Sequence, residues 1–523
     1  MSTSRLDQNH KPGTLRTPLP ATPAVGEKSY WACFLHLYQP ANQVEEIFLR
    51  VVDESYRPLV RGLLAHPQVR ITLNLSGALT EQFVAYGCQD LLDGLRLASE
   101  RGQIEFTDTA KYHALLPFLP DEEIKRQIKL NRETNRRLLG PSYQPQGFFP
   151  PEMSYSPNLP PILENLGYRW VVIDEIALNG KPNQVNPKLI YQIKESSLKV
   201  FFRRRNPSNL IMGGLVRSFS DFQKGLGDEF FRRNYLITGM DGETFGHHRP
   251  GLTEVLFDLL QSDRINHVFF SDLPTLFPET AEAEPLASNW ASTEKDIDQG
   301  IQFLTWKDPE NPIHAWQWEL QALAIKSIHS MDMANSQAAK ARDKLDRALS
   351  SDLFFWASAK PWWSLEVIEA GTWSLLDVIQ SIPGVNQDIR QEADALYHQI
   401  IAKAFELQRT GFIRNLYHQY REAIRVPFKD KTVGEGKPWV YDAFITFMRR
   451  EMKEAAEKEN FEQALFWRDA IWKLETRNDI YDAIHAVDVL RKKFTEPELA
   501  ELMDKYKDDY DKVASGQPES RGT

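Results

Sequence analysis

The chain has 523 residues, of which 42% are hydrophobic and 11% aromatic, enough for a sizeable core and for more than one domain. Its formal net charge of −10 argues against a nucleic-acid-binding surface, and no apolar run approaches the roughly 20 residues that span a membrane. Cys33 and Cys88 are the only cysteines, which excludes a disulfide framework and predicts a reducing, cytoplasmic setting.

Residues 29–279 alternate between strand-like and helix-like segments, after a polar, Pro-rich stretch (residues 1–28) that we expect to be disordered. Helices are predicted between the strands, among others at 44–65, 80–99 and 120–139. Strands joined by crossover helices are parallel, so about seven of them predict an α/β fold with an incomplete or irregular barrel. The predicted strands are Tyr30–Leu37, Val69–Leu75, Gln103–Thr107, Trp170–Ile173, Val200–Phe202, a strand beginning at Tyr235, and His267–Phe270, and Gly147-Phe148-Phe149 leads to a further strand end at Glu152.

The pattern changes after residue 279. Thr280–Ser288 is acidic and rich in alanine, and it predicts a linker. Residues 280–428 carry little strand signal, and helical spacing recurs at Ala315–Leu349 and Val385–Gln408, with aromatic clusters between them. We therefore predict an α-helical domain that packs against the barrel mouth and completes its site.

The C-terminal part is predicted to be a second helical region. Phe428–Pro438 combines glycines and a proline with charged residues, which is typical of a linker. Residues 429–513 are strongly charged and show helical spacing, so we expect a C-terminal helical extension. Residues 514–523 are predicted to be a disordered tail.

One stretch combines a buried strand with an acidic loop, from Tyr235 through Asp241-Gly242-Glu243 to His247-His248. In α/β barrels the chemistry lies at the carboxyl ends of the strands, and all of these ends meet on one face. Three more strand ends carry an acid or a histidine: His36, Glu105 and Glu152. Two carboxylates that face each other across a sugar are what glycoside hydrolysis needs. A strand followed by an ordinary polar loop is the alternative, because acids after strands are common.

Five stretches resemble the motifs of glycoside hydrolase family 57, an α-glucan-active family with an incomplete (β/α)7 barrel. In chain order they are Phe34–Pro40, Gly102–Glu105, Phe148–Met153, Met240–Gly246 and Ala348–Asp352. Two further stretches fit the family, Asn289–Thr293 and Trp306–Asn311. One departure is Tyr38, which stands where the first motif usually has a second histidine.

The resemblance implies Glu152 as the nucleophile and Asp241 as the general acid/base, with the pKa of Asp241 raised by the charge of Glu152. Alternatives that involve only the fold remain: His36 as a core histidine, Glu105 as an ion-pair partner and Asp352 as a helix cap. Neither a metal nor a cofactor is predicted. The side chains that the resemblance implies in substrate binding are His36, Gln39, Glu105, Trp290, Asp352 and Trp356.

A second resemblance, over about residues 442–476, is to the UVR motif, a helical hairpin found in excision-repair proteins and in bacterial interaction modules. The sequence predicts two amphipathic helices with Asn460 at the turn and with Phe461 and Ala464 on the inner face. The resemblance implies a protein partner, and DNA repair does not follow from it. An ordinary helical hairpin is the alternative.

The favoured hypothesis is a retaining, α-amylase-like enzyme that hydrolyses α-1,4-glucosidic bonds of starch, glycogen or maltooligosaccharides. A 4-α-glucanotransferase or an α-glucan branching enzyme would use the same carboxylates, so both remain alternatives. A metal-dependent polysaccharide deacetylase would need a His-x-x-x-His pair, and the barrel region offers only the adjacent His247-His248. The last alternative is a non-catalytic glycan-binding or scaffold protein that works through the hairpin.

Overall fold

The computed structural model describes residues 28–331, 336–360, 362–416, 438–476, 490, 494–507 and 511. The two predicted tails and the predicted linker Phe428–Pro438 lie outside these residues, except for Lys28 and Pro438.

One mixed sheet organises the first 283 residues. Its strands follow one another in space as β10-β6-β7-β5-β4-β3-β2-β1-β8, and β9 pairs with β1. The strands are β1 Tyr30–Leu37, β2 Ile71–Leu75, β3 Ile104–Asp108, β4 Gly147–Phe148, β5 Trp170–Asp174, β6 Ile190–Ile193, β7 Lys199–Arg203, β8 Tyr235–Asp241, β9 Asn266–His267 and β10 Thr280–Ala283.

Seven parallel strands, from β8 through β1 to β5 and β7, form the incomplete barrel that the sequence predicts. The open side lies between β7 and β8 and is bridged by arginines. Arg204 N donates to Ile237 O at 2.9 Å, and Arg203 Nε donates to Gly239 O at 2.8 Å.

Two strands were not predicted. β6 pairs antiparallel with β7, and β10 adds to β6 in parallel. The prediction that Thr280–Ser288 is a linker is therefore wrong over Thr280–Ala283, and the sheet extends past the predicted boundary at residue 279. The error has a physical reason: β10 is an edge strand whose residues are mostly exposed, so its acids and alanines leave no apolar run.

Parallel strands are covered on both faces, which explains why β1 is an almost continuous apolar run. Ala32 and Phe34 of β1 belong to the cluster that fills the barrel. Trp31 and Cys33 belong to the cluster shared with the helices outside. Because side chains alternate along a strand, His36 follows Phe34 on the inner side, at the carboxyl end.

The helices around the barrel are α1 Glu45–Val51, a π-helical turn Val52–Tyr56, α2 Arg57–Ala65, α3 Gly77–Ala85, α4 Gln89–Glu100, α5 Asp121–Leu139, α6 Leu159–Asn165, α7 Arg205–Met212, α8 Phe219–Leu226, α9 Leu252–Leu260 and α10 Leu273–Leu276. The helical domain contains α11 Glu294–Asp298, α12 Pro312–His329, α13 Ser336–Ala348, α14 Asp352–Phe355, α15 Leu365–Gln380 and α16 Gln387–Arg409. One buried cluster runs from Phe148 and Ile173 of the barrel to Ile313 and Leu375 of the helical domain, so the two regions share a core.

The C-terminal region holds α17 Pro438–Glu457, α18 Phe461–Thr476 and α19 Glu496–Lys505. Met448 and Trp467 are buried between α17 and α18, which confirms the hairpin. Asn460 lies at the turn as predicted, and its Oδ1 accepts a bond from Gln463 N at 3.2 Å. The prediction for Phe461 is wrong, because its side chain is 64% exposed, whereas Ala464 does pack inward. Within the described ranges, no helix has the length and apolar character that crossing a membrane requires.

Candidate active site

Glu152 lies four residues after β4, in a turn with unusual backbone geometry. Its φ is 60° and that of Met153 is 49°, so two successive non-glycine residues adopt the left-handed conformation. Such a conformation costs free energy and persists only where neighbouring structure imposes it. Here the segment pairs with residues far along the chain: Tyr155 and Ser288 exchange backbone hydrogen bonds of 2.8 and 3.1 Å, and Trp290 N donates to Glu152 O at 3.2 Å.

The carboxylate of Glu152 is 14% exposed and faces the barrel mouth. Trp290 Nε1 donates to its Oε2 at 2.7 Å, while His113 Nδ1 is 3.7 Å from Oε1, too far for a hydrogen bond. Burial, and then the charges of Asp241 and Asp352, raise the pKa of Glu152 well above its usual value, and the bond from Trp290 opposes this. The effect of both charges on Glu152 indicates that Asp241 and Asp352 lie near it.

Asp241 is the last residue of β8 and pairs in register with His36 of β1. The pKa of Asp241 is raised to about 6 by burial, and the positive charge of Arg203 works in the opposite direction. The predicted direction of the shift is confirmed, but its predicted cause is wrong. Burial, not the charge of Glu152, is the largest contribution to the raised pKa.

His36 and His113 form a chain of hydrogen bonds across the mouth. His36 Nδ1 contacts Asn74 Oδ1 at 2.8 Å, and His36 Nε2 contacts His113 Nε2 at 3.1 Å. Burial lowers the pKa of His36 to about 4 and that of His113 well below its usual value. Both rings are therefore neutral at pH 7. Because an amide oxygen only accepts, His36 Nδ1 carries the proton and His113 Nε2 donates to His36, which leaves His113 Nδ1 to accept from Ser351 Oγ at 3.1 Å.

Tyr38, where the family motif usually has a histidine, reaches the helical domain. Its ring stacks on His113 with centroids 4.1 Å apart, and its hydroxyl donates to Asp352 Oδ2 at 2.6 Å. Ser350 Oγ donates to the same oxygen at 2.5 Å. Burial raises the pKa of Asp352, and these two donors partly offset the effect. The predicted site residue Asp352 is thus held at the mouth by Tyr38.

Glu243 is a second acid on the loop that follows β8. Its Oε1 accepts from Tyr38 N at 3.3 Å and from the hydroxyl of Tyr56, and burial together with the charge of Asp241 raises its pKa. Gln39, predicted to bind substrate, is buried and donates to Tyr56 Oη at 3.3 Å. The contacts of Gln39 within the structure therefore support Glu243.

The loop that follows β8 is held against the π-helical turn. Ser55 Oγ donates to Gly242 O at 2.8 Å. Gly246 has a φ of +110°, and a Cβ there would lie 1.8 Å from Glu54 O. Only glycine fits this close approach of two backbones.

Two other predicted residues, Glu105 and Trp356, have contacts of their own within the protein. Glu105 is the second residue of β3, so the prediction that it ends its strand is wrong. It accepts bonds from Phe270 N at 2.9 Å and Thr72 Oγ1 at 3.1 Å inside the barrel. Trp356 lies one turn after Asp352, with its ring 6.0 Å from that of Trp362. Sugar contact by either residue remains a prediction.

The sequence did not point to several side chains that build this site. They are Asn74, His113, Tyr56, Ser351, Arg203 and Arg205. His113 had a local signal, since it lies five residues after β3, in the segment that follows the carboxyl end of a barrel strand. The others depend on strand register or on contacts across the fold, for which a single sequence gives no signal.

Comparison with known proteins gives a consistent result. Residues 24–279 match the model of Glycosyl hydrolase family 57, and residues 442–477 match the UvrB/uvrC motif. An alpha-amylase of Pyrococcus horikoshii is 24% identical over 274 residues, which are 50% of this chain and 42% of that protein. The chain thus spans less than half the length of this relative.

Two solved structures share the fold. The 4-alpha-glucanotransferase from Thermococcus litoralis has a TM-score of 0.56 at 18% identity, covering 68% of this chain and 60% of that one. A GH57 branching enzyme from Thermococcus kodakaraensis has a TM-score of 0.57 at 14% identity, covering 72% and 96% of the two chains.

Proposed function

Residues 24–279 of this chain belong to glycosyl hydrolase family 57, and from that premise we propose that the protein is a retaining enzyme acting on α-glucans. The observation that carries the proposal is the pair Glu152 and Asp241, two partly buried acids on the carboxyl side of barrel strands β4 and β8, with the charge of Asp241 acting on Glu152. Retaining glycosidases need one acid that attacks and one that donates a proton.

In the first step, the ionised Glu152 attacks the anomeric carbon, and the bond to the leaving oxygen breaks as Asp241 protonates that oxygen. A covalent glycosyl ester on Glu152 results. In the second step, Asp241 removes a proton from water or from a sugar hydroxyl, which attacks the same carbon and releases Glu152. Two displacements leave the product in the α configuration.

The protonation states follow from the charges around the two acids. Burial and the charges of the neighbouring acids disfavour ionisation of Glu152, so these carboxyl groups together favour retention of a proton. Catalysis needs this proton on Asp241 and a negative charge on Glu152. The bond from Trp290 favours the ionised form of Glu152, and the raised pKa of Asp241 suits a group that donates a proton near neutral pH.

Within this function, we assign sugar contacts to His36, Gln39, Glu105, Trp290, Asp352 and Trp356, as the family resemblance implies. The structural support for a sugar contact differs among His36, Gln39, Glu105 and Trp290. His36 and Trp290 lie beside Glu152 at the mouth, whereas Gln39 and Glu105 already have partners inside the protein. Alanine variants should therefore raise KM more at His36 and Trp290 than at Gln39 and Glu105.

Hydrolysis is the favoured reaction, and transfer or branching is the alternative, since the named relatives include an alpha-amylase, a glucanotransferase and a branching enzyme. The product profile from maltoheptaose decides between them. Only shorter oligosaccharides mean hydrolysis, longer linear ones mean transfer, and α-1,6 branches mean branching. No product from maltoheptaose, amylose or glycogen, with an intact fold, would refute the proposal.

We propose that the C-terminal hairpin binds a protein partner rather than the glucan. The support is its match to the UvrB/uvrC motif and the exposure of Phe461 and Leu465, one turn apart on α18, at 64% and 47%. A chain that ends at Gly434 should turn over short oligosaccharides as the full chain does. Loss of activity in a folded truncated chain would place the hairpin in the active site. A partner retained equally by the full chain and by Phe461→Ser/Leu465→Ser would contradict the proposed surface.

A cytoplasmic location is part of the same proposal. Cys33 and Cys88 are both buried and unpaired, as is usual in a reducing compartment. Expression of a tagged chain in its source cells, followed by fractionation, tests the location.

A further inference from the structure

Arg205, at the start of α7, joins the end of β5 to the loop that carries Trp290. Its Nε donates to Asp174 Oδ1 at 2.5 Å, and its backbone N donates to Glu175 Oε1 at 2.6 Å. Its Nη2 points the other way and contacts Asn289 O at 3.4 Å and Trp290 O at 3.2 Å. The planar guanidinium suits this role, because it offers several donors in a fixed geometry.

The loop that receives these bonds is itself tightly built. Asn289 is buried, its Nδ2 donates to Gln302 O at 2.9 Å, and its Oδ1 accepts from Ala291 N at 2.8 Å. Ser292 Oγ donates to Gln302 O at 2.7 Å. The loop therefore has one defined shape, and Arg205 ties that shape to the barrel.

The loop in turn holds Glu152 at two points. Trp290 N donates to the backbone oxygen of Glu152, and the indole Nε1 donates to its carboxylate at 2.7 Å. The left-handed backbone of Glu152 needs such external support. The indole bond is also the influence that stabilises the negative charge of Glu152, against burial and against the charges of Asp241 and Asp352.

We propose that Arg205 is a positioning residue for Glu152: anchored on Asp174, it fixes the Asn289–Trp290 backbone so that the Trp290 indole keeps Glu152 aimed and favours its ionised form. The inference rests on the proposed function for its catalytic meaning, since an ionised Glu152 is the attacking group. The inference gives Trp290 a second role, in addition to the proposed contact with sugar. Arg205 acts through Trp290 and does not touch the reacting atoms itself.

Two variants test the proposal, with a third as control. Trp290→Phe removes the indole donor and keeps an aromatic ring. Arg205→Lys keeps a positive charge for Asp174 but loses the reach to the two carbonyls. Arg233→Lys is the matched control, because Arg233 Nη2 also donates to a backbone oxygen, Leu276 O at 3.0 Å, but lies before the amino end of β8.

The first readout is the acid limb of the pH profile of kcat/KM on maltoheptaose. We expect Trp290→Phe to move its midpoint upward by about one pH unit, as loss of a hydrogen bond to a charged group implies. Arg205→Lys should move it in the same direction by less, and Arg233→Lys should leave it in place. The titratable groups that face Glu152 are Tyr38, His113, Asp241 and Asp352, and all three variants retain them.

The second readout does not depend on activity. The ¹⁵N–¹H signal of the Trp290 indole, assigned by its loss in Trp290→Phe, should shift with pH in the wild type as Glu152 ionises. In Arg205→Lys that shift should be smaller or occur at higher pH. If the wild type turns over no glucan, the proposed function fails, and this titration still tests the link from Arg205 to Glu152.

Two results would overturn the inference. If Arg205→Lys leaves both the acid limb and the indole titration at their wild-type positions, Arg205 does not position Trp290. If Trp290→Phe raises KM and leaves the acid limb unchanged, Trp290 only contacts sugar and does not hold the charge of Glu152.

Discussion

The two carboxylates that we propose as catalytic are placed in different ways. Asp241 is the last residue of a regular strand, and its position follows from the register of β8 against β1. Glu152 lies in a left-handed turn that is held by hydrogen bonds from the segment of Ser288 and Trp290. This segment comes much later in the chain, since Trp290 follows Glu152 by 138 residues. Secondary structure therefore places Asp241, the proposed acid/base, whereas long-range contacts place Glu152, the proposed nucleophile. Changes at a distance should affect Glu152 more than Asp241.

The largest effects should come from changes to Glu152 and Asp241 themselves. The two variants should differ in how the loss of activity depends on the leaving group of the substrate. Glu152→Gln should lower kcat by about 10⁴-fold or more with every glucoside, because the nucleophile is gone. Asp241→Asn should cost about 10²–10⁴-fold on maltooligosaccharides but much less on an aryl α-glucoside whose leaving group needs no proton. Steady-state kinetics on both substrates measure the contrast.

Unchanged melting temperatures provide the control for these two variants. Wild-type turnover by Glu152→Gln would make the assignment of the nucleophile wrong, and Glu243 or Glu105 would be the next acids to test.

The next largest effect should come from a change at Ser288, whose backbone pairing supports the turn that contains Glu152. Ser288→Pro removes the N–H that donates to Tyr155 O at 3.1 Å, and should loosen the turn that carries the nucleophile. We expect kcat to fall by roughly tenfold, in line with the loss of about one hydrogen bond. Ser288→Ala keeps the N–H and serves as the control. Equal kcat for the two variants would mean that the turn around Glu152 holds its shape without this pairing.

Ionisation of Asp241 should lower the free energy of unfolding at neutral pH. Its pKa is raised from 3.8 to about 6, so the folded state binds a proton that the unfolded state has already lost between these values. The contribution of Asp241 to the free energy of unfolding therefore falls as pH rises from about 4 to 6. Above pH 6 the whole of this destabilisation is present. Asp241→Asn should raise the free energy of unfolding at pH 8 by about 1–3 kcal/mol.

Urea unfolding at pH 8 and at pH 4 checks this prediction. The gain from Asp241→Asn should be largest at pH 8 and nearly vanish at pH 4. A gain that does not change with pH would show that ionisation of Asp241 is not its source.

The smallest effect should come from Tyr38, which joins β1 to the helical domain. Tyr38→Phe keeps the ring on His113 but removes the hydroxyl that donates to Asp352 at 2.6 Å. We expect a loss of stability of about 1–2 kcal/mol, because a buried carboxylate loses one of two donors. Thermal unfolding measures this loss. Tyr38→His, which restores the usual family residue, should fall between the wild type and Tyr38→Phe.

The same contrast explains what the sequence could predict. The barrel strands and the position of Asp241 at the end of β8 follow from local apolar runs and the loops that end them, so these placements are confirmed. The site also includes Asn74, Arg205 and Tyr56, which reach it through strand register or through contacts across the fold. The sequence next to these residues gives no signal of that role. β10 was missed because an exposed edge strand has little apolar pattern. The side of Phe461 was missed because it is the first residue of α18, where helical spacing constrains a side chain least.

The bonds that join His113 to Ser351 and Tyr38 to Asp352 have a consequence for biosynthesis. Translation delivers both proposed catalytic acids once residue 241 has left the ribosome, but Ser288, Trp290 and Asp352 arrive later. Because the barrel and the helical domain share one buried core, a nascent chain passes through a stage in which strands β1 to β9 have been made but neither that core nor the mouth is complete. Competence to cleave glucan should therefore emerge late and abruptly, when the helical domain docks, so premature termination within that domain should yield chains without activity.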